Sequence, residues 1–138
     1  MRYYIDTNVL IFILSTSKID ISSEIADILS DYSNTIFVSS VAVQELLFLF
    51  RIGKVEHLHF KSEADILNEI KKSYIEIIFF NAYHFAEYAK LEMRAGHKDM
   101  NDHAIISQAM SDKIALISSD REFENYRSQG LNFVFNKR

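Results

Sequence analysis

The sequence predicts an α/β domain, a three-layer sandwich around a central, mainly parallel five-stranded sheet. Three observations carry that expectation. Short β-rich runs alternate with longer segments of helical spacing along the whole chain, the pattern of a parallel sheet with right-handed helical crossovers. The 138 residues suffice for one domain with a real core and are too few for two, so residues 1–138 are read as a single domain. About half of the residues are apolar, with 11 Phe and 7 Tyr, and no segment has the charge-rich composition of a disordered tail.

The first strand is Tyr3, Tyr4 and Ile5; Asp6 ends it, and Thr7 and Asn8 open an apolar helix through Leu14. Ile21, Ile25, Ile28 and Leu29 have the spacing of a second helix over Ile21–Asp31, capped by Asp20 or Ser22. Thr35–Val38 suits a second strand, and Ser39 or Ser40 caps a third helix through Arg51, with Gly53 just beyond it. Lys54–Lys61 is a basic patch in which His57 and His59, two apart, could hold a metal on a strand; such a pair is more often plain surface. Ser62–Ser73 reads as a helix capped by Ser62.

Tyr74–Phe80 is almost continuously apolar and β-branched, as in a strand buried on both faces. Asn81 caps a helix from Ala82 to Ala95, closed by Gly96, whose Tyr83, Phe85, Tyr88 and Met93 are read as core or dimer contacts. Lys90, Arg94, His97 and Lys98 gather at its end, where they satisfy the helix dipole or meet phosphate. Asp99–Met110 is a helix capped by Asp99, with Asp102 three residues on. Ala115–Ile117 is a buried strand, Ser118 and Ser119 follow it, and Asp120 stands at its carboxyl end. Arg121–Gln129 is a last helix stopped by Gly130, and Leu131–Phe135 the final strand.

Composition narrows the chemistry. There is no Cys, which excludes disulfides and thiolate metal sites. A net charge of −4 counts against a simple nucleic-acid binder, although a site built from carboxylates stays acidic until it takes up cations. The six-residue apolar run Val9–Leu14 is too short for a membrane span and follows an acid rather than a basic segment, so no secretory signal is read there and the protein is expected in the cytoplasm.

In open α/β sheets ligands bind outside the carboxyl ends of the strands, which is where Asp6 and Asp120 fall. Asp6 or Thr7 could equally serve only to cap the helix. Glu45 shares a helical stripe with Val41 and Leu49 among apolar neighbours, so it is either half-buried in need of a partner or on a narrow solvent strip beside Gln44. Asp99 and Asp102 are explained by the helix start alone. Should Asp6, Glu45, Asp102 and Asp120 line one cavity, their charges would repel by roughly 4 kcal/mol per close pair at an effective dielectric near 20. Such a site holds protons or a cation, and oxygen donors without Cys suit Mg2+ or Mn2+. In-line phosphodiester cleavage is the reaction that most needs the cluster.

YIDTNVL, VAVQELLF, NDHAIISQA and LISSDREFENYRSQGL, in that order along essentially the whole chain, resemble the motifs of a PIN domain, specifically of the VapC-type toxins of type II toxin-antitoxin pairs. The resemblance implies a compact PIN-like fold and a Mg2+-dependent endoribonuclease. It implies Asp6, Glu45, Asp102 and Asp120 as catalytic acids, with Asp6, Asp102 and Asp120 as metal ligands and Thr7, Asn8 and Ser118 orienting them. Asp99 fits an acidic position that members carry three residues before Asp102; the Asn101-Asp102 pair favours Asp102. The implied partners are an RNA substrate, with tRNA and rRNA as candidates, a cognate antitoxin and a second copy of the chain. Lys54–Tyr74 carries no motif of the family.

Other classes fit less well. A phosphorelay receiver needs a second acid beside Asp6 and a phosphorylatable Asp after the third strand, where Asn81 stands. A haloacid-dehalogenase-like phosphatase needs Asp at position 8, which is Asn8. A serine nucleophile would want a Gly-flanked Ser. The remaining alternative is a non-catalytic PIN-like interaction module, though all four acidic places are filled.

Overall fold

A computed structural model describes residues 1–94 and 96–138. Its centre is a five-stranded sheet in the order β3-β2-β1-β4-β5, formed by β1 (Arg2–Ile5), β2 (Thr35–Ser39), β3 (Ile75–Ile78), β4 (Ala115–Ser118) and β5 (Phe133–Phe135). All four pairings are parallel, with Ile5 opposite Val38 on one side and Ile117 on the other. The helices are α1 (Thr7–Leu14), α2 (Ser23–Ser30), α3 (Ser40–Arg51), α4 (Glu63–Lys72), α5 (Ala82–Lys90) and α6 (Met100–Asp112). Successive strand residues face opposite ways, yet Tyr4, Ile5, Leu116 and Ile117 are all buried, so both faces of the central strands are covered. The expected α/β sandwich holds, and the sheet is wholly parallel.

The chain builds outward from β1 to β3, then returns across the sheet to β4 and β5. The order therefore reverses between β1 and β4, the topological switch point at which such sheets open a crevice. Asp6 and Asp120 flank it. Local capping sets the helix entries: Ser22, Ser39, Ser62, Asn81 and Asp99 each accept a backbone N–H of the turn that follows.

Several boundaries differ from expectation. The run Tyr74–Phe80 does not form a strand buried on both faces: β3 is an edge strand of four residues, Glu76 is exposed, and Phe79 is 73% exposed. The apolar run continues past the sheet, where Phe80 packs edge-on against Phe85 at 4.7 Å. α5 stops at Lys90 rather than Ala95; Leu91 turns to an extended conformation, and Ala95 itself lies outside the described residues. Tyr83, Phe85 and Met93 are exposed and so are not core. The second helix starts at Ser23, two residues later than expected, because Ser22 caps it.

Arg121–Gln129 winds as a 3-10 helix, not an α-helix. Its inward residues Phe123 and Tyr126 are three apart, the spacing that a three-residue turn stacks on one line. Gly130, at φ 115°, ends it in a conformation that favours glycine, and the last strand begins only at Phe133. His57 and His59 are exposed on and after a 3-10 turn, Glu56–Leu58, rather than on a strand.

A buried polar network locks α6 to the sheet. Gln108 accepts from the Ser39 hydroxyl at 2.5 Å and donates to the Ile78 carbonyl at 2.9 Å and the Tyr4 hydroxyl at 3.2 Å. Tyr4 in turn donates to Asp112, which also meets the buried His84 at 2.9 Å. Burial and the Asp112 bond both push the Tyr4 hydroxyl well above its ordinary pKa. The network ties one helix to three strands and to α5.

Candidate metal centre

Asp6 follows β1 and caps α1, so it combines the two roles that the sequence left open. Its Oδ1 accepts from Val9 N–H at 2.9 Å, and its Oδ2 accepts from the Ser118 hydroxyl at 2.5 Å. Ser118 ends β4, and its oxygen also accepts from Asp120 N–H at 3.0 Å. One hydroxyl thereby bridges the two acids across the switch point. Asp120 caps the following 3-10 turn through Glu122 N–H at 2.9 Å.

Glu45 reaches the same crevice from α3. Both of its oxygens are engaged: Thr7 donates to Oε1 at 2.5 Å and Asn101 to Oε2 at 3.1 Å. It is half-buried, whereas its neighbour Gln44 is exposed, so the solvent-strip reading does not apply. Asp102 enters from the first turn of α6. Asp99, three residues before it, is exposed and caps that helix by accepting Asp102 N–H at 3.0 Å. Of the expected orienting residues, Thr7 and Ser118 make hydrogen bonds to the acids, and Asn8 lies exposed on the first turn of α1.

The electrostatics record the convergence. Burial pushes Asp6 from 3.8 up to about 6, against the lowering effect of the Ser118 and Val9 bonds, and the charges of Asp120 and Glu45 push it further. Burial likewise raises Asp102 to about 7; a bond from His97 opposes this, and Asp99 and Asp6 add repulsion. Each acid is thus held in a site that disfavours its own ionisation. A cation would relieve both.

His97, Asp102 and Asp120 each present one donor atom within 4.8 Å of the others. Asp6 is coupled by charge to both Asp102 and Asp120, and Glu45 in turn to Asp6. His97 is the site residue that sequence reasoning placed elsewhere, in a basic cluster. It is 4% exposed and bonded to Asp102 at 2.9 Å, with its ring edge-on to Tyr126 and His103. The one available signal was its place just ahead of the Asp99 cap, which is too general to assign a role. Asn101, noted only as the neighbour of Asp102, holds Glu45.

Fold and site together define a parallel α/β domain with a carboxylate-lined crevice at its switch point. The chain belongs to the PIN domain family, whose model matches residues 3–128. No curated protein sequence matches it. Among solved structures, the chain is similar to VapBC2 from Rickettsia felis bound to a DNA fragment from their promoter, with 21% identity, 99% of this chain and 100% of that chain covered, and a TM-score of 0.69. It is similar also to DNA-bound VapBC from Salmonella typhimurium (18% identity, 98% of each chain, TM-score 0.70) and to VapBC-1 from nontypeable Haemophilus influenzae (18%, 98% of each chain, 0.68). At these identities the likeness establishes the fold.

Proposed function

We propose that this protein is a divalent-cation-dependent endoribonuclease that hydrolyses RNA phosphodiester bonds, and that it is the VapC-type toxin of a toxin-antitoxin pair. The observation that carries the reading is the meeting of Asp6, Glu45, Asp102 and Asp120 from four separate elements at one crevice, with two of them strongly perturbed. The donor set fits a hard cation, because it is almost entirely carboxylate oxygen. Asp6, Asp102 and Asp120 would hold Mg2+ or Mn2+, with Glu45 completing the site. Bound there, the cation supplies activation of water and neutralisation of charge on the phosphate.

The chain's own residues prepare that site. Thr7 and Asn101 clamp Glu45 through both oxygens, so its carboxylate is held in one orientation toward the crevice. Ser118 sets the orientation of Asp6 against the backbone of Asp120. Asp99 supports Asp102 by capping its helix, which favours Asp102 over Asp99 as the ligand. Membership of the PIN family supports nuclease chemistry, with tRNA and rRNA as the candidate substrates.

VapBC neighbours support a cognate antitoxin as partner, and a basic antitoxin segment would complement the acidic crevice. A second copy of the chain suits the largely apolar groove of about 690 Å³ between α3, α5 and α6, lined among others by Phe48, Phe85, Tyr88 and Met100 and reaching Glu45 and Asn101 of the metal centre. Phe85, Phe48 and Met100 are 63%, 54% and 69% exposed, an apolar face that a homodimer would cover. Among the described residues no helix is long and apolar enough to cross a membrane. An antitoxin-controlled ribonuclease acts in the cytoplasm, where its RNA is.

The test is cleavage of a defined set of tRNA and rRNA stem-loops, with Mg2+ or with chelator, beside Asp6→Asn at equal concentration. Metal-dependent products made by the wild type and not by the variant support the ribonuclease. Identical products from both would mark contamination. No cleavage by either, with Mn2+ demonstrably bound, would leave a non-catalytic PIN-like interaction module.

A further inference from the structure

His97 does not belong to the acidic set, yet it is buried, 4% exposed, and bonded directly to Asp102. Its protonation pattern follows from the hydrogen bonds around Tyr126. That hydroxyl carries one proton and is approached by Arg94 N–H at 3.3 Å, His97 Nδ1 at 3.0 Å and His103 Nε2 at 3.3 Å. The Arg94 amide can only donate. His103 Nε2 lies 2.8 Å from the His97 carbonyl, so it too carries a proton and donates. His97 Nδ1 is then the acceptor for the Tyr126 proton. In the neutral ring this places the other proton on Nε2, aimed at Asp102 Oδ2 at 2.9 Å, with the more exposed Glu122 further away at 3.6 Å.

We propose that His97 is a positioning residue: its Nε2–H holds Oδ2 of Asp102 and fixes the carboxylate for a cation, while the imidazole stays outside the coordination sphere. The proximity of His97 to Asp102 and Asp120 would also suit a third ligand, but the tautomer set by Tyr126 and His103 leaves no lone pair on Nε2 to give. Asp102, held on α6 by its helix, is thereby tied to Tyr126 on the 3-10 segment after β4. The two halves of the crevice are set relative to each other through one imidazole. The proposal rests on the reading of Asp102 as a metal ligand.

Mn2+ titration of the purified full chain tests it, followed by electron-spin-echo measurement of nitrogen coupling to the bound Mn2+. His97→Leu should weaken Mn2+ binding by about 10–100-fold, the range for losing a group that orients a ligand. His97→Gln, whose amide N–H can replace the Nε2–H, should restore most of it. Wild-type protein should show no directly coordinated imidazole nitrogen. Should His97→Leu fail to fold, Tyr126→Phe keeps the ring and removes the hydroxyl that sets the tautomer, and a smaller loss is expected. A coordinated-nitrogen signal that disappears in His97→Gln would overturn the proposal by making His97 a ligand. Wild-type affinity in His97→Leu, or in Tyr126→Phe where that variant must serve, would overturn it too. Wild-type affinity in Asp102→Asn would instead refute the metal-site reading beneath it.

Discussion

Asp6→Asn should make the metal-free protein more stable at pH 8, although it removes a group proposed to be essential. Asp6 is 4% exposed and its pKa stands at about 6, against 3.8 ordinarily. The gap corresponds to roughly 3 kcal/mol of folding free energy lost when the carboxylate ionises inside the fold, at about 1.4 kcal/mol per pH unit. Between the two values the folded chain binds the proton and the unfolded chain does not. Stability from this group is therefore intact below about pH 4, falls as pH rises through 6, and is fully lost above it. Asparagine carries no charge and keeps an acceptor for Val9 N–H. It loses the Ser118 hydroxyl bond to a carboxylate, a cost of about 1–2 kcal/mol.

The net gain at pH 8 is then roughly 1–2 kcal/mol, or about 4–6 °C in Tm for a domain of this size. It should vanish or change sign at pH 4.5, where both folded proteins are uncharged at this position and little of the ionisation penalty has yet been incurred. Saturating Mn2+ should invert the order, because a cation that binds only the folded wild type stabilises it by mass action. The assay is thermal and urea denaturation at pH 8, 6 and 4.5, in chelator and in Mn2+. A variant less stable than wild type at pH 8 in chelator would refute the desolvation argument. Equal stabilisation of both by Mn2+ would refute Asp6 as a ligand.

Further expectations separate ligands from supports. Asp102→Asn should reduce RNA cleavage at least 100-fold, whereas Asp99→Ala should cost about 1 kcal/mol of stability as a lost helix cap and leave Mn2+ affinity nearly unchanged, read by titration and urea melts. Thr7→Val removes one of the two donors to Glu45 while keeping the side-chain shape, so cleavage should fall by about 10-fold with the fold intact by circular dichroism. Gln108→Leu should destabilise the protein by about 2–4 kcal/mol in urea by leaving Tyr4, Ser39 and the Ile78 carbonyl short of partners, without moving Mn2+ affinity. Phe85→Glu should shift the chain toward monomer by light scattering coupled to size exclusion, and an unchanged mass would exclude the α5 face as the dimer surface.

The parts of this protein that were legible in its sequence are those determined over a few residues. Ser62, Asn81 and Asp99 were each readable as helix caps, and Ser39 as one of two candidates, because the amide that a cap satisfies lies two or three positions on. Asp6 and Asp120 were legible as strand-end acids, since a β-rich run followed by a helix start puts the intervening residue outside a parallel sheet. The resemblance to PIN motifs then named the four acids as a set. The places where the reading failed share one cause. Tyr74–Phe80 has the composition of a central strand, but whether a strand is central or at an edge depends on the other strands, and the return to β4 left β3 at the edge. Glu45 was legible as one of the acids, but its orientation comes from Thr7 and Asn101, 38 and 56 residues away in the chain. His97 looks like any basic residue near a helix end until Tyr126, 29 residues on, and Asp102 close over it. Local hydrogen bonds are written in neighbouring residues; burial and the meeting of distant side chains arise only when the sheet brings its strand ends together.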